Sequence, residues 1–350
     1  MSVTHFLKDD FVGETRWAAC AENGRIVSVF SNRDIGKPES AWHGRILEAI
    51  VRAIRPAQGG AFLELTNGEP ALMRLKGDMA VSEGQRLTVR VVSEARRDKS
   101  ARVVPAASDE LGTESPLDAW KSTLKVTNSP KLHETAPNDH TIDEAFDLAL
   151  SPSITLPKGG LLRIDPTHAL TAADIDTHGR TDKGRAAQRA LAINAEAAKT
   201  FAQQTILRNL GGLLVLDCVA PLTRDSSKAI RDTFTAEITT FTRRPCRVLP
   251  PSELGLLQAS IAWGIQPLSE RLSQPSGAPT AETILFDALR ALQRNAIRAP
   301  MKRHSLALPA DVHDVWTKLS QTPMSKLEAR HGGRLNIVRS DRNRVDLKES

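Results

Sequence analysis

The chain has 350 residues, 40% of them hydrophobic, and a formal net charge of +6, a size at which polypeptides usually divide into packed units of ~50–200 residues. The basic surplus favours polyanionic partners without separating nucleic acid from an ordinary basic protein. Cys20, Cys218 and Cys246 lie far apart with no C-x-x-C pair. They argue against structural zinc and a disulfide framework, and no run reaches the ~18–20 apolar residues of a membrane span, so a soluble cytoplasmic protein is expected.

In chain order, residues 1–13 mix charged and short apolar runs and lack the apolar stretch of a secretory signal. Residues 15–21 and 25–30 flank Glu22-Asn23-Gly24 and read as a hairpin, because Asn-Gly favours the tight turn. Strands follow at 45–54, 61–66, 71–75 and 86–92, punctuated by Gly59-Gly60, Asn67-Gly68 and Glu83-Gly84. Short strands at this density predict a small barrel of the OB kind. Residues 104–141 are rich in Ser, Pro, Asp and Lys and read as linker with one short helix at 117–124.

From Ile142 the pattern alternates between helix and strand. The expected elements are a helix to Leu150, strands at 161–164 and 170–174, a long helix at 185–207, a strand at 213–218, a helix at 226–243 and a strand near 247–249. That is an α/β layer structure. The Pro/Gly/Ser stretch 274–280 marks a boundary. Beyond it come a helix at 281–298, a strand at 305–308, helices at 311–319 and 323–331, and strands at 334–339 and 344–347, a small α/β appendage.

Chemistry concentrates at two strand ends. Asp174 and Asp176, in A-D-I-D, share one strand face because side chains alternate with period two, and Asp217 closes the apolar run 213–216. Converging carboxylates without a His or Cys cluster suit a hard, oxygen-seeking cation such as magnesium. Equally, acids at strand ends cap turns with no further role.

The run P-K-G-G-L-L-R-I-D-P-T-H-A-L-T-A-A-D-I-D-T-H-G-R, residues 157–180, strongly resembles the signature of the ribonuclease E/G family. The resemblance continues through N-A-E-A-A (194–198) and L-R-N-L-G-G-L-L-V-L-D (207–217). It implies an α+β multidomain fold, in which an OB-fold β-barrel is inserted before a DNase I-like α/β nuclease core and a small C-terminal α/β domain follows. The implied parts are 1–40, N-terminal strands of a partial RNase H-like subdomain; 41–104, the RNA-binding barrel; 105–150, a linker and short helices completing the RNase H-like part; 151–272, the catalytic core; and 273–350, the C-terminal domain.

The resemblance further implies a magnesium-dependent endoribonuclease acting on single-stranded RNA, an rRNA precursor or mRNA, with Asp174 and Asp217 as metal ligands and manganese as a substitute. Asp176 stands where the family usually has Asn, keeping an oxygen acceptor but adding charge and losing the amide donor. Phe62 matches a position at which the family stacks a base, or is a plain core residue; a second family aromatic is replaced near Leu72. Lys99 matches a basic residue of the RNA groove, or is a solvated charge. Arg180 closes the D-I-N/D motif and is expected to contact RNA.

The family's 5'-monophosphate sensor and its zinc-link cysteines have no counterpart in this sequence, so any homodimer is expected to form without zinc. The Arg of the family's S-R-F-G-L-L-E is Glu253 here, and an acid beyond Asp217 is lost at Val219 and Ala220. These departures define the alternative, a catalytically degenerate RNA-binding protein. His178 sits near the motif as a phosphate contributor or a solvated loop residue. Arg243-Arg244 and Lys302-Arg303-His304 form basic patches or solvated faces.

Overall fold

A computed structural model describes residues 2–33, 41–55, 57, 59–75, 79–97, 99–107, 115–319 and 321–349. Strands β1 (Val3–Phe11), β2 (Glu14–Ala21) and β3 (Ile26–Arg33) form the antiparallel start of a sheet. The hairpin β2–β3 turns at Asn23-Gly24 as its sequence predicts, with Gly24 at φ +80.

Strands β4 (Ile46–Arg55), β5 (Gly60–Leu65), β6 (Pro70–Arg74), β7 (Arg86–Ser93) and β8 (Ala101–Pro105) then close into a barrel in the order β4-β5-β6-β8-β7. Alternation fills its interior with Ala49, Val51, Leu63, Leu65, Met73, Val89, Val91 and Val103. Glu94, at the end of β7, accepts from the backbone N–H of His43 (3.1 Å) and of Gln266 (2.9 Å) and pairs with Arg271 at 3.0 Å, while Arg96 stacks on Trp263. One carboxylate thus anchors the barrel to the segment that follows the core sheet.

The region expected as linker is more ordered than its sequence suggests. Its residues 108–114 lie outside the described part; after them come α1 (Pro116–Ser122), opened by a Ser115–Asp118 capping box, and β9 (Val126–Glu134). Strand β9 runs parallel to β1 and completes the sheet β3-β2-β1-β9. It escaped notice because an edge strand whose residues 128–134 are all exposed carries no period-two apolar signal, and it contains Pro130.

The remainder comprises α2 (Thr141–Leu150), β10 (Ser153–Thr155), β11 (Leu161–Pro166), β12 (Leu170–Asp176), α3 (Ala186–Leu207), β13 (Gly212–Asp217), α4 (Arg224–Phe241), β14 (Cys246–Leu249), β15 (Leu256–Ile261) and α5 (Leu268–Leu272). The six-stranded sheet runs β10-β11-β12-β13-β15-β14, and within it only β12 and β13 are parallel neighbours. Its inner residues, among them Leu162, Ile164, Ala173, Ile175, Leu214, Leu216 and Leu257, pack on Phe201, Ile230, Phe234 and Ile238 of α3 and α4. Phe6, Trp17, Phe30 and Trp120 join the same core, so the two helices lie between two sheets. The other face of the six-stranded sheet meets solvent: Arg163, Asp174, Asp217, Gln258 and Ser260 are exposed, and even Leu213 is 55% exposed.

After this sheet come α6 (Ala281–Arg298), β16 (His304–Leu308), α7 (Ala310–Lys318), α8 (Gln321–His331), β17 (Leu335–Arg339) and β18 (Asp346–Glu349). They build a three-stranded sheet, β17-β16-β18, with its own core of Leu285, Phe286, Leu289, Leu292, Leu306, Leu308 and Trp316. Among the described residues, no helix is long and apolar enough to cross a membrane.

Candidate active site on the open sheet face

Parallel pairing of β12 and β13 brings two carboxyl ends together. The paired register runs to Ala173 and Leu216, the residues just before Asp174 and Asp217, so the two aspartates close adjacent strands of a ladder whose strands generally lie about 4.8 Å apart. Inner neighbours Ala173, Ile175 and Leu216 are buried, which turns both aspartates to the open face. Neither carboxylate has a hydrogen-bond or ion-pair partner among the described residues. Two unpaired acids held this close repel one another, and a cation relieves that repulsion.

Asp176 is placed differently. One carboxylate oxygen accepts the backbone N–H of His178 at 2.9 Å, and the other lies 3.8 Å from Arg163 Nη2. Accordingly, among the described residues no three His, Cys, Asp or Glu side chains converge as a metal-holding group. Cys218, next to Asp217, is buried, and burial pushes its thiol up to about 11, which keeps it neutral and unreactive near pH 7. His178 is exposed. The donor set is therefore oxygen alone, of the kind hard divalent cations take.

The loops behind the aspartates are fixed by groups whose roles the sequence left unassigned. Gly160, at φ +84, lies so close to the end of β12 that an added Cβ would meet the Asp176 carbonyl oxygen at 2.6 Å, and one on Gly159 would meet the Gly179 carbonyl oxygen at 2.9 Å. The Gly-Gly pair lets two backbones touch where any side chain would part them. Asn194 of α3 clamps the chain after Asp217: its Nδ2 donates to the Val219 carbonyl and its Oδ1 accepts the Val219 N–H, both at 2.8 Å.

Arg180, expected to contact RNA, is bonded within the protein. Its guanidinium donates to Asp182, to Glu196 at 2.7 Å and to the Gly159 carbonyl at 3.1 Å, and the side chain is 5% accessible. With all three nitrogens engaged inside the protein, it ties the loop after β12 to the Gly159 turn and to α3. Glu196 adds a second tie by accepting the Lys158 N–H at 2.8 Å.

On the barrel, Phe62 points outward and is 36% exposed, since its neighbours Ala61 and Leu63 fill the interior. That removes the core-residue alternative. Phe62 pairs across strands with Leu72, which pairs with Arg102, so an aromatic ring, an aliphatic group and a guanidinium form one row on the outer surface. Lys99 lies exposed in the turn before β8. Of the two arginines flagged as a patch, Arg243 is exposed, whereas Arg244 is buried and donates to the Leu210 carbonyl at 2.8 Å.

A family model for the ribonuclease E/G family matches residues 72–261, more than half of the chain, spanning part of the barrel and all of the six-stranded sheet. The chain belongs to the ribonuclease E/G family. Among curated members it is similar to ribonuclease E of Haemophilus influenzae, with 30% identity over 203 residues, 55% of this chain and 21% of the relative. It is also similar to ribonuclease E of Synechocystis, 27% identical over 211 residues (60% and 30%), and to that of Escherichia coli, 28% identical over 214 residues (58% and 20%). The matched stretch thus spans between a fifth and a third of these ribonuclease E chains.

Proposed function

We propose that this chain is a divalent-cation-dependent endoribonuclease that hydrolyses single-stranded RNA, with magnesium the expected ion and manganese a substitute. The observation that carries the reading is the pair Asp174 and Asp217, brought side by side at two parallel strand ends, exposed and without partners. Strand-end acids that cap turns accept backbone N–H groups, as one oxygen of Asp176 does; among the described residues, Asp174 and Asp217 accept none.

Asp174 and Asp217 would hold the cation, which when bound supplies charge neutralisation at a phosphodiester and acidifies water. The protein's own part is positional. Asn194 and the Gly159-Gly160 turn hold the two aspartates at fixed spacing, and Arg180 with Glu196 keeps the adjoining loop off the open face. The solvent-exposed face admits an extended strand, and Asp176 sits beside the two ligands as an acceptor that orients water or substrate. Phe62, at the end of the row that continues through Leu72 to Arg102, offers a base-stacking surface with a cation two strands away, and Lys99 adds charge toward the RNA backbone. In this reading residues 41–104 grip RNA and 151–272 cut it, leaving 5'-phosphate and 3'-hydroxyl ends, and the protein acts in RNA processing or decay.

The test is cleavage of a labelled A/U-rich single-stranded RNA by wild type and Asp217→Asn, with magnesium and with chelator. Cutting by wild type in magnesium alone is expected. RNA that binds but stays intact under every condition would replace this reading with that of a binding protein without turnover.

A further inference from the structure

We propose that Arg163 is a charge-compensating positioning residue: by pairing with Asp176 it withdraws that carboxylate from the metal site, leaving Asp174 and Asp217 to hold a single cation. The inference rests on the metal-site reading above and concerns how many ions the site takes and how tightly.

The register carries the argument. Arg163 of β11 is the direct cross-strand partner of Asp174 on β12, and both are exposed on the open face. Asp176, two residues on, shares that face and is the diagonal neighbour of Arg163, within reach of a long side chain. Arg163 Nη2 comes to 3.8 Å from Asp176 Oδ2, while Asp176 Oδ1 is taken by the His178 N–H. Arg163 has no other ion-pair partner among the described residues.

An exposed pair at this separation adds little to folding stability. Its effect is local charge. Three carboxylates at the ends of β12 and β13 would present three negative charges and a second place for a cation; with Arg163 beside Asp176 the face presents a net two. A neutral side chain at position 176 would need no such partner, so the acid at 176 and the arginine at 163 form one unit of compensation.

The decisive experiment titrates free Mn²⁺ by its electron paramagnetic resonance signal against wild type, Arg163→Gln, Asp176→Asn and the double variant, without RNA, and repeats the set for Mg²⁺-dependent cleavage. Arg163→Gln is expected to bind Mn²⁺ about three- to ten-fold more tightly or to take up a second ion, and Asp176→Asn to bind it more weakly by a similar factor, as expected for one charge at this range. The double variant is expected to return to within about two-fold of wild type, because the local charge is then restored. In cleavage, Arg163→Gln is expected to leave the KM for RNA within about two-fold of wild type, since Arg163 acts on the charge of the metal site and not on the RNA backbone. Mn²⁺ affinity of Arg163→Gln equal to wild type, or a KM for RNA raised several-fold in Arg163→Gln, would overturn the proposal and make Arg163 a direct phosphate contact. Wild type that binds no Mn²⁺, with Asp174→Asn and Asp217→Asn indistinguishable from it, would overturn the metal-site reading and this inference with it.

Discussion

Acidic side chains meet opposite circumstances in two regions of this protein. Where β1, β2, α2 and α6 converge, Glu14 accepts from Arg16 (2.8 Å), Arg33 (2.7 Å), Ser31 (2.7 Å) and Arg290 (3.0 Å), and Asp9 pairs with Arg290 and Arg294. Asp143 and Asp287 complete the network through Arg16 and Arg294. On the open face of the six-stranded sheet, Asp174 and Asp217 have no such partners among the described residues. Buried charge must be matched or it unfolds the chain, so the first region is scaffold. An exposed pair of like charges left unmatched leaves its oxygens available, which is what the proposed metal site requires.

The comparison breaks most sharply if substitutions in the two regions act alike. Asp217→Asn is expected to lower RNA cleavage by about three orders of magnitude or more, since the cation's stabilisation of developing charge amounts to several kcal/mol. Its midpoint of urea unfolding should match wild type. Glu14→Gln is expected to do the reverse: three buried guanidinium groups lose their shared partner, at about 3–5 kcal/mol, while turnover per folded molecule is kept. Paired urea titrations and single-turnover cleavage measure both.

A smaller effect is expected on the barrel. Phe62→Ala should weaken RNA binding by about 1–3 kcal/mol, the value of one stacked base, and should leave unfolding nearly unchanged because the ring lies outside the core. Fluorescence anisotropy with a labelled oligonucleotide reads it directly. Lys99→Ala should cost less and mainly flatten the salt dependence, as the loss of one phosphate contact does.

Acid titration sharpens the comparison further. Burial alone would raise the Glu14 carboxyl, but Arg16, Arg33 and Arg290 outweigh it and hold it far below the usual carboxylate range. A carboxyl lowered in the folded state contributes stability that is fully present above its unfolded pKa of about 4.3 and is lost as pH falls toward the folded value. Wild type is therefore expected to lose stability more steeply than Glu14→Gln as pH drops below about 4, and melting temperatures from pH 7 to pH 3 would show it. Equal slopes would mean that Glu14 is not the charge the network is built around.

Much of this was written in local sequence. Asn23-Gly24 specified the first hairpin, the glycine-punctuated run at 61–66 specified a barrel strand, and the 157–180 and 207–217 runs identified the family. These are short-range signals: turn chemistry, period-two patterning, and a motif whose spacing survives without its surroundings. Strand β9 was not legible, because a solvent-bathed edge strand has no apolar face to betray it. Nor was the use of Arg180, since nothing in G-R-T-D shows that Glu196, sixteen residues on, and Gly159, twenty-one residues back, will enclose its guanidinium.

Sequence by itself thus determined which residues are acids at strand ends. Only the tertiary structure decided that β12 and β13 are parallel neighbours, that Asp174 and Asp217 have no partner among the described residues, and that Arg163 of β11 comes to 3.8 Å from Asp176. Those distinctions are made by cross-strand register and by long-range pairing, and neither is encoded within any one stretch of chain.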